Sequence, residues 1–252
     1  MRSIGVDIGS AATKCALWDG NDIICCITPT GWTPKESAEA AVVMIKEKAG
    51  IAPDAPGISV TATGYGRNVF PADKRVTEIS CHAAGARFLV PEVGMVLDIG
   101  GQDSKVISLH PDGRVADFIM NDKCAAGTGR FLQNMAVHLG CTLSDFCSIP
   151  EGTVMQPINS MCTVFAESEV IGLLAHGIAK EPICAGLLDS VAQKAVTMIS
   201  RAGGSGDICF TGGCAQNGML RALIEEKTGR RVISHALSQY AGAIGAALIG
   251  AK

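Results

Sequence analysis

No Cys-x-x-Cys pair occurs among the 11 cysteines of this chain. That excludes a zinc ribbon and a thioredoxin-type redox motif. No run of basic residues occurs either, and the net charge is −3 from 21 basic and 24 acidic residues. The electrostatic footprint of a nucleic-acid or anionic-membrane binder is therefore missing. Long apolar runs are absent as well: AGAIGAALIG at 241–250 is too short and too rich in Gly and Ala to span a bilayer. MRSIGVDIGS starts a strand at once, so no cleavable targeting segment is expected. The P-loop and Rossmann glycine fingerprints are both missing, so neither competes for a nucleotide.

What is present is enough for a compact fold. The 252 residues are 48% hydrophobic and only 18% charged, which excludes disorder and allows one large α/β domain or two modest lobes. A soluble, cytoplasmic protein is expected, and disulfides are rare in that compartment. Cys15, Cys25, Cys26 and Cys209, which lie in strand-like runs, then read as small core residues. Any metal site built on cysteine must use well-separated positions.

Two segments repeat without a gap. Asp7-Ile8-Gly9-Ser10-Ala11-Ala12-Thr13-Lys14 matches Asp98-Ile99-Gly100-Gly101-Gln102-Asp103-Ser104-Lys105, both reading D-I-G-x-x-x-S/T-K after a short apolar run. A second alternating run follows each, KCALW at 14–18 and KVISL at 105–109, and then the turn residues Asp19-Gly20-Asn21 or Pro111-Asp112-Gly113. The spacing predicts a hairpin with a tight glycine turn in each copy, and hence two duplicated lobes. An aspartate at a strand end, followed by glycine and small hydroxyl residues, offers a carboxylate to Mg²⁺ and amides to phosphate oxygens. Two facing copies would clamp a triphosphate between the lobes.

A third glycine element lies at Asp207-Ile208-Cys209-Phe210-Thr211-Gly212-Gly213-Cys214-Ala215-Gln216-Asn217, read as strand, Gly-Gly turn and helix. Such a turn lets a ring or phosphate approach the backbone. Helices are predicted from Pro34 to about Ala49 and at about 77–89, 129–139, 164–178, 183–201, 217–228 and 238–249. The fold class is α/β with mixed sheets: a first lobe over 1–91, a second over 92–237, and a C-terminal helix over 238–252 packing back on the first.

Strand, D-x-G hairpin twice, then strand-GG-helix resembles the actin/Hsp70/sugar-kinase ATPases, with two ribonuclease-H-like lobes and a nucleotide cleft between them. ATGYGRN at 62–68, EISCHA at 78–83, DIGGQD at 98–103, NDKCAAGTGRFL at 121–132, CTVFAESEV at 162–170, TGGCAQN at 211–217 and QYAGA at 239–243 narrow the resemblance. Together they are similar to the ATP-dependent activators of 2-hydroxyacyl-CoA dehydratases, akin to the ATPase subunits of benzoyl-CoA reductase. The likeness covers nearly the whole chain. Cys214 departs from that pattern and reads as packing.

The resemblance implies an ATPase acting as a homodimer. One 4Fe-4S cluster would be shared on the two-fold axis, held by the residues matching Cys124 and Cys162 of each subunit. One low-potential electron would pass from ferredoxin or flavodoxin to an iron–sulfur dehydratase or reductase partner. Residue physics is compatible with this, since both cysteines precede predicted helices whose free amides favour an anionic group, and two ligands per chain need a two-fold dimer to reach four. Small packing residues or a reactive thiol are the alternatives for the same two positions. The five histidines share no ligand spacing and read as surface or satisfied helix residues.

For ATP or ADP, the implied Mg²⁺-facing carboxylates are Asp7 and Asp98, acting through water. Ser10, Ala11, Thr13 and Lys14 would line the first phosphate loop and Gly100, Gly101, Gln102 and Asp103 the second, with Gln102 or Asp103 positioning the attacking water. Gly127, Thr128 and Gly129 are expected at the nucleotide, and Gly212, Gly213, Ala215 and Gln216 around the adenosine. Glu167 and Glu169 read as solvated or interface charges. Tyr65 and Arg67 read equally as loop residues or partner contacts. A small-molecule kinase of the same superfamily is the rival function; it needs a substrate pocket and a catalytic base that no motif supplies.

Overall fold

The computed structural model describes residues 2–150, 152–159 and 162–252. Two five-stranded mixed sheets carry the chain. The first is built from β1 (Ser3–Ile8), β2 (Ala12–Trp18), β3 (Ile23–Pro29), β4 (Ser59–Thr63) and β5 (Lys74–Arg75), in the order β3-β2-β1-β4-β5. The second uses β6 (Met95–Ile99), β7 (Ser104–Leu109), β8 (Val115–Asn121), β9 (Ile208–Thr211) and β10 (Val232–Ile233), in the order β8-β7-β6-β9-β10. The orders are equivalent strand for strand, with three antiparallel strands followed by two parallel ones. The duplication read from the two D-I-G segments therefore extends to whole sheets.

Helices cover the sheets according to their apolar faces. α1 (Pro34–Lys48) starts with proline, whose missing N–H is harmless in the first turn, and packs Ala38, Ala41 and Ile45 against the first sheet. α3 (Gly129–Leu139), α4 (Thr163–Ala175), α5 (Lys180–Ala202) and α6 (Gly218–Thr228) contribute to the large core on one face of the second sheet, which includes Phe131, Met135, Leu187, Phe210 and Leu220. α5 begins three residues before the expected 183, because Pro182 falls in its first turn and removes no hydrogen bond there. The segment 238–240 is a short 3-10 turn, and the last helix, α7 (Ala241–Gly250), starts only after it.

Two helices lie between the sheets. α2 (Glu78–Leu89), capped by the Thr77 hydroxyl, sets Ala83 and Ala86 against Val96, Ile107 and Cys209 of the second sheet. α7 sets Ala243, Ile244 and Ala247 against Ala16 and Cys25 of the first. The two helices cross so closely that a Cβ on Gly245 would come 1.8 Å from the Cys81 carbonyl oxygen. Only glycine allows that approach. Among the described residues no helix is long and apolar enough to cross a membrane.

Cys15, Cys25, Cys26 and Cys209 are buried, and burial pushes the Cys25 and Cys209 thiols up to about 12.

Candidate functional site

The two D-I-G turns are superimposable in their pairing. Asp7 faces Lys14 across the β1–β2 hairpin and Thr63 on the parallel side; Asp98 faces Lys105 and Thr211 in the same way. The residue after each threonine is a glycine with positive φ, Gly64 at +81° and Gly212 at +88°. A Cβ on Gly64 would lie 2.5 Å from Asp7 Oδ1, and one on Gly212 would lie 2.3 Å from the Ile99 carbonyl oxygen and 2.9 Å from Asp98 Oδ1. Both glycines are thus required twice, by conformation and by contact with the aspartate strand. Thr-Gly at 63–64 is the counterpart of Thr-Gly at 211–212. Sequence reasoning paired the hairpins but left this second pair unrecognised, because only the Thr-Gly dipeptide is shared.

The turns meet tip to tip. A Cβ on Gly101 would fall 2.8 Å from Ala11 Cβ and 3.7 Å from Ser10 Oγ, so the first loop lies directly against the second. In the first loop Ser10 is half-buried and Ala11 exposed, while the buried Thr13 shares a hydroxyl hydrogen bond of 2.8 Å with Thr30. Lys14 Nζ stands 3.8 Å from Asp7 Oδ2. In the second loop the Gly100 amide donates to the Asp103 carbonyl, Gln102 is exposed, and Asp103 is tied to Lys105.

The second copy is the more heavily charged. Lys105 Nζ, with only 3% of the side chain exposed, lies 2.9 Å from Asp103, 3.0 Å from Asp98 and 3.3 Å from Glu78 at the start of α2. Burial by itself would lower the lysine's affinity for its proton, but the three carboxylates outweigh it and hold Lys105 well above the usual lysine range. Burial would raise Asp98; His82, Lys105 and the Thr211 hydroxyl, which donates at 2.8 Å, hold it well below the usual carboxylate range instead. Lys105, Glu78, Thr211 and His82 were not singled out for this site from sequence. The signal for Lys105 was present as the last residue of the D-I-G-x-x-x-S/T-K repeat. Glu78 and His82 gave no such signal, because they arrive from a separate helix.

Carboxylate availability decides which copy suits a hydrated cation. Asp98 already accepts from Lys105 and Thr211, whereas the side-chain partner of Asp7 is Lys14 at the longer distance of 3.8 Å. Of the two, Asp7 would have the freer oxygens for metal-bound water.

The NDKCAAGTGRFL segment is bolted to the second turn. The Gly129 amide donates to the Gly100 carbonyl at 2.9 Å and the Arg130 amide to the Gly101 carbonyl at 2.8 Å. Asn121 Nδ2 donates to the Cys124 and Ala126 carbonyls, and the buried Thr128 hydroxyl donates to the Ala125 carbonyl. Gly127 has positive φ and packs on the Lys194 side chain. Thr128 and Gly129 thus spend their donors holding the loop together. Cys124 is exposed at its far end, and Cys162 is exposed at the N-cap of α4, whose first amides have no side-chain cap. α3 and α4 are joined by His138 and Glu167 at 3.2 Å, and Glu169 accepts from the Asn159 amide. Among the described residues no three His, Cys, Asp or Glu side chains of one chain converge as a metal site.

On the remaining wall Gly213 and Gln216 are exposed, with Gln216 Nε2 donating to the His235 carbonyl, whereas Ala215 is buried in the core. Cys214 is half-buried beside Gly129. Arg67 Nη1 donates to the Gly64 carbonyl, while the Tyr65 ring beside it is exposed.

Two duplicated sheets, with paired aspartate turns meeting tip to tip, define a two-lobed α/β fold of the actin and sugar-kinase type. The same fold is seen in a ROK-family glucokinase from Streptomyces griseus, at a TM-score of 0.58, 15% identity and coverage of 100% of this chain and 99% of that one. Residues 4–250 match the BadF/BadG/BcrA/BcrD ATPase family, and the chain belongs to it. It is 43% identical to the (R)-2-hydroxyglutaryl-CoA dehydratase activating ATPase of Acidaminococcus fermentans, over 99% of this chain and 97% of that protein. It is 44% identical to the activator of lactoyl-CoA dehydratase of Anaerotignum propionicum, over 98% and 96% of the two chains. The structure of the 2-hydroxyisocaproyl-CoA dehydratase activator from Clostridium difficile with bound ADPNP superposes with a TM-score of 0.93 at 39% identity, covering 99% of this chain and 94% of that one.

Proposed function

We propose that this ATPase is a homodimeric activator that uses MgATP to drive one low-potential electron from ferredoxin or flavodoxin into an iron–sulfur 2-hydroxyacyl-CoA dehydratase or related reductase. The activators named above support the partner class. The observation that carries the coupling is the pair of hydrogen bonds from Gly129 and Arg130 to Gly100 and Gly101, which ties the segment bearing Cys124 to a phosphate turn. Cys124 and Cys162 of each subunit would hold the shared 4Fe-4S cluster, which supplies one-electron chemistry. Exposed Val164 and Phe165, two and three residues after Cys162, supply an apolar face that a second subunit would cover.

The chain's own residues do the nucleotide work. Asp7 would hold a hydrated Mg²⁺, and the turns at 9–14 and 100–103 would cradle the phosphates. Gln102, exposed and beside the cleft, orients the attacking water, while Asp103 is occupied by Lys105. Loss of the γ-phosphate lets the lobes at 1–91 and 92–237 separate, with the C-terminal helix at 238–252 moving with the first. Movement of the 100–103 turn carries the Cys124 segment with it.

Anaerobically purified protein is expected to be brown, with about four irons per dimer. Cys124→Ser and Cys162→Ser should each remove the chromophore, and Cys25→Ser should keep it. A colourless protein that phosphorylates a sugar or an acid would refute this reading in favour of a kinase.

A further inference from the structure

The duplicated site is not symmetric, and one buried side chain stands at the asymmetry. His82, on α2, is 5% exposed and enters the site above only as a neighbour of Asp98. Its Nδ1 lies 3.3 Å from Asp98 Oδ1, within ion-pair range, yet it is not aligned as a hydrogen bond. Its other end points toward the first lobe. A Cβ on Gly242, at the start of α7, would lie 3.0 Å from His82 Nε2 and 2.8 Å from Asp7 Oδ2. The Nδ1 side of the ring thus faces Asp98, and the Nε2 side faces the start of α7.

The first copy carries a matching deficit. Thr211 donates to Asp98, but its counterpart Thr63 makes no aligned hydrogen bond, the weak Cys81 thiol beside it apart. Buried polar atoms left without a partner cost free energy and are rare in a settled structure. Two of them flanking the paired aspartates point to a second arrangement of the same groups, in which they are satisfied. α2 is well placed to change with it, since Glu78, one turn before His82, pairs with Lys105, and α2 crosses α7 at Gly245.

We infer that His82 is a positioning residue that couples Asp98 to the α2–α7 crossing. Its Nδ1–H becomes aligned on Asp98 when a bound nucleotide sets the two turns, and the filled cleft is thereby passed to the α2–α7 crossing. This rests on the reading that phosphate lies between the two D-I-G turns. No proton is transferred and no bond is made; His82 acts through Asp98.

Two amide substitutions separate the two ends of the ring. In His82→Asn the amide nitrogen sits near the place of Nδ1, and in His82→Gln near that of Nε2. ATPase kinetics and hydrogen–deuterium exchange, with and without ADP, are measured on anaerobically purified protein, using retained protection of β1 and β6 as the check on folding. In the unaltered protein ADP should slow exchange in both turns and in α2. His82→Gln should lower kcat by about 10- to 100-fold, leave KM for ATP within about twofold, and lose the ADP effect at α2 while keeping it at the turns. His82→Asn should recover most of kcat and the α2 protection. If the two variants behave alike, or both match the unaltered protein, the inference is wrong while the cleft reading stands. If ADP protects neither turn in the unaltered protein, the cleft reading falls and this inference falls with it.

Discussion

Replacing Lys105 with methionine is expected to destabilise the protein far more than the same change at Lys14, although the two lysines occupy equivalent positions. Lys105 is surrounded by Asp98, Asp103 and Glu78 at 2.9–3.3 Å, whereas Lys14 has Asp7 alone at 3.8 Å. Methionine fills most of the same volume, so the main loss is the charge, which leaves the buried Asp98 without its lysine. Breaking a buried pair in this way costs about 3–5 kcal/mol; the looser, more accessible Lys14 contact is worth about 1 kcal/mol. At about 2–4 °C per kcal/mol for a chain of this size, Lys105→Met should lower Tm by roughly 6–20 °C and Lys14→Met by a few degrees.

The pH dependence has a definite sign. Asp98 is held low in the fold, so its contribution is present above its unfolded value of about 3.9 and is lost as pH falls through the lower folded value. Lys105 is held high, so its contribution is complete below about 10.4 and is lost as pH rises through the higher folded value. The pair thus contributes evenly across neutral pH. Without Lys105, Asp98 loses one of the groups that hold its carboxyl low and takes up a proton more readily, so acidification should relieve the variant. The gap between the two proteins should narrow as pH approaches about 4. Calorimetry or urea unfolding without nucleotide, at several pH values, measures this. A Lys105→Met loss within about 1 kcal/mol of the Lys14→Met loss, or a gap that does not change with pH, would contradict the assignment.

Gly64→Ala and Gly212→Ala should each destabilise by about 1–3 kcal/mol or more and weaken ADP binding, because positive φ and contact with the aspartate strand both reject a Cβ. Gly213→Ala, next door but with nothing within 4 Å, should be close to neutral in thermal unfolding. Asp7→Asn should weaken ADP binding in Mg²⁺ by about tenfold or more while leaving Mg²⁺-free ADP binding nearly unchanged, as read by isothermal titration. Equal losses with and without the metal would move the cation away from Asp7.

Local features were legible from sequence where the physics is local. The D-I-G hairpins, their turn residues and the helices at 34–48, 78–89 and 129–139 follow from short-range pattern and capping. Boundaries moved where a local rule admitted an exception, as at Pro182, tolerated in the first turn of α5. The kinship of Thr63-Gly64 with Thr211-Gly212 was hidden because it resides in the parallel pairing of β4 on β1 and of β9 on β6, and in a shared positive φ. Two residues in common are too few to announce it.

The two copies of one aspartate–glycine–lysine turn are legible without a fold, since each is written in consecutive residues. How differently the two aspartates are held became visible only in the folded chain. α2 crosses the second turn and brings Glu78 and His82 to Lys105 and Asp98, while the first turn keeps Lys14 at a distance and leaves Asp7 free to accept water. The physical reason is that a carboxylate's state depends on every charge and donor within a few ångströms, and those neighbours come from a helix that lies elsewhere in the chain.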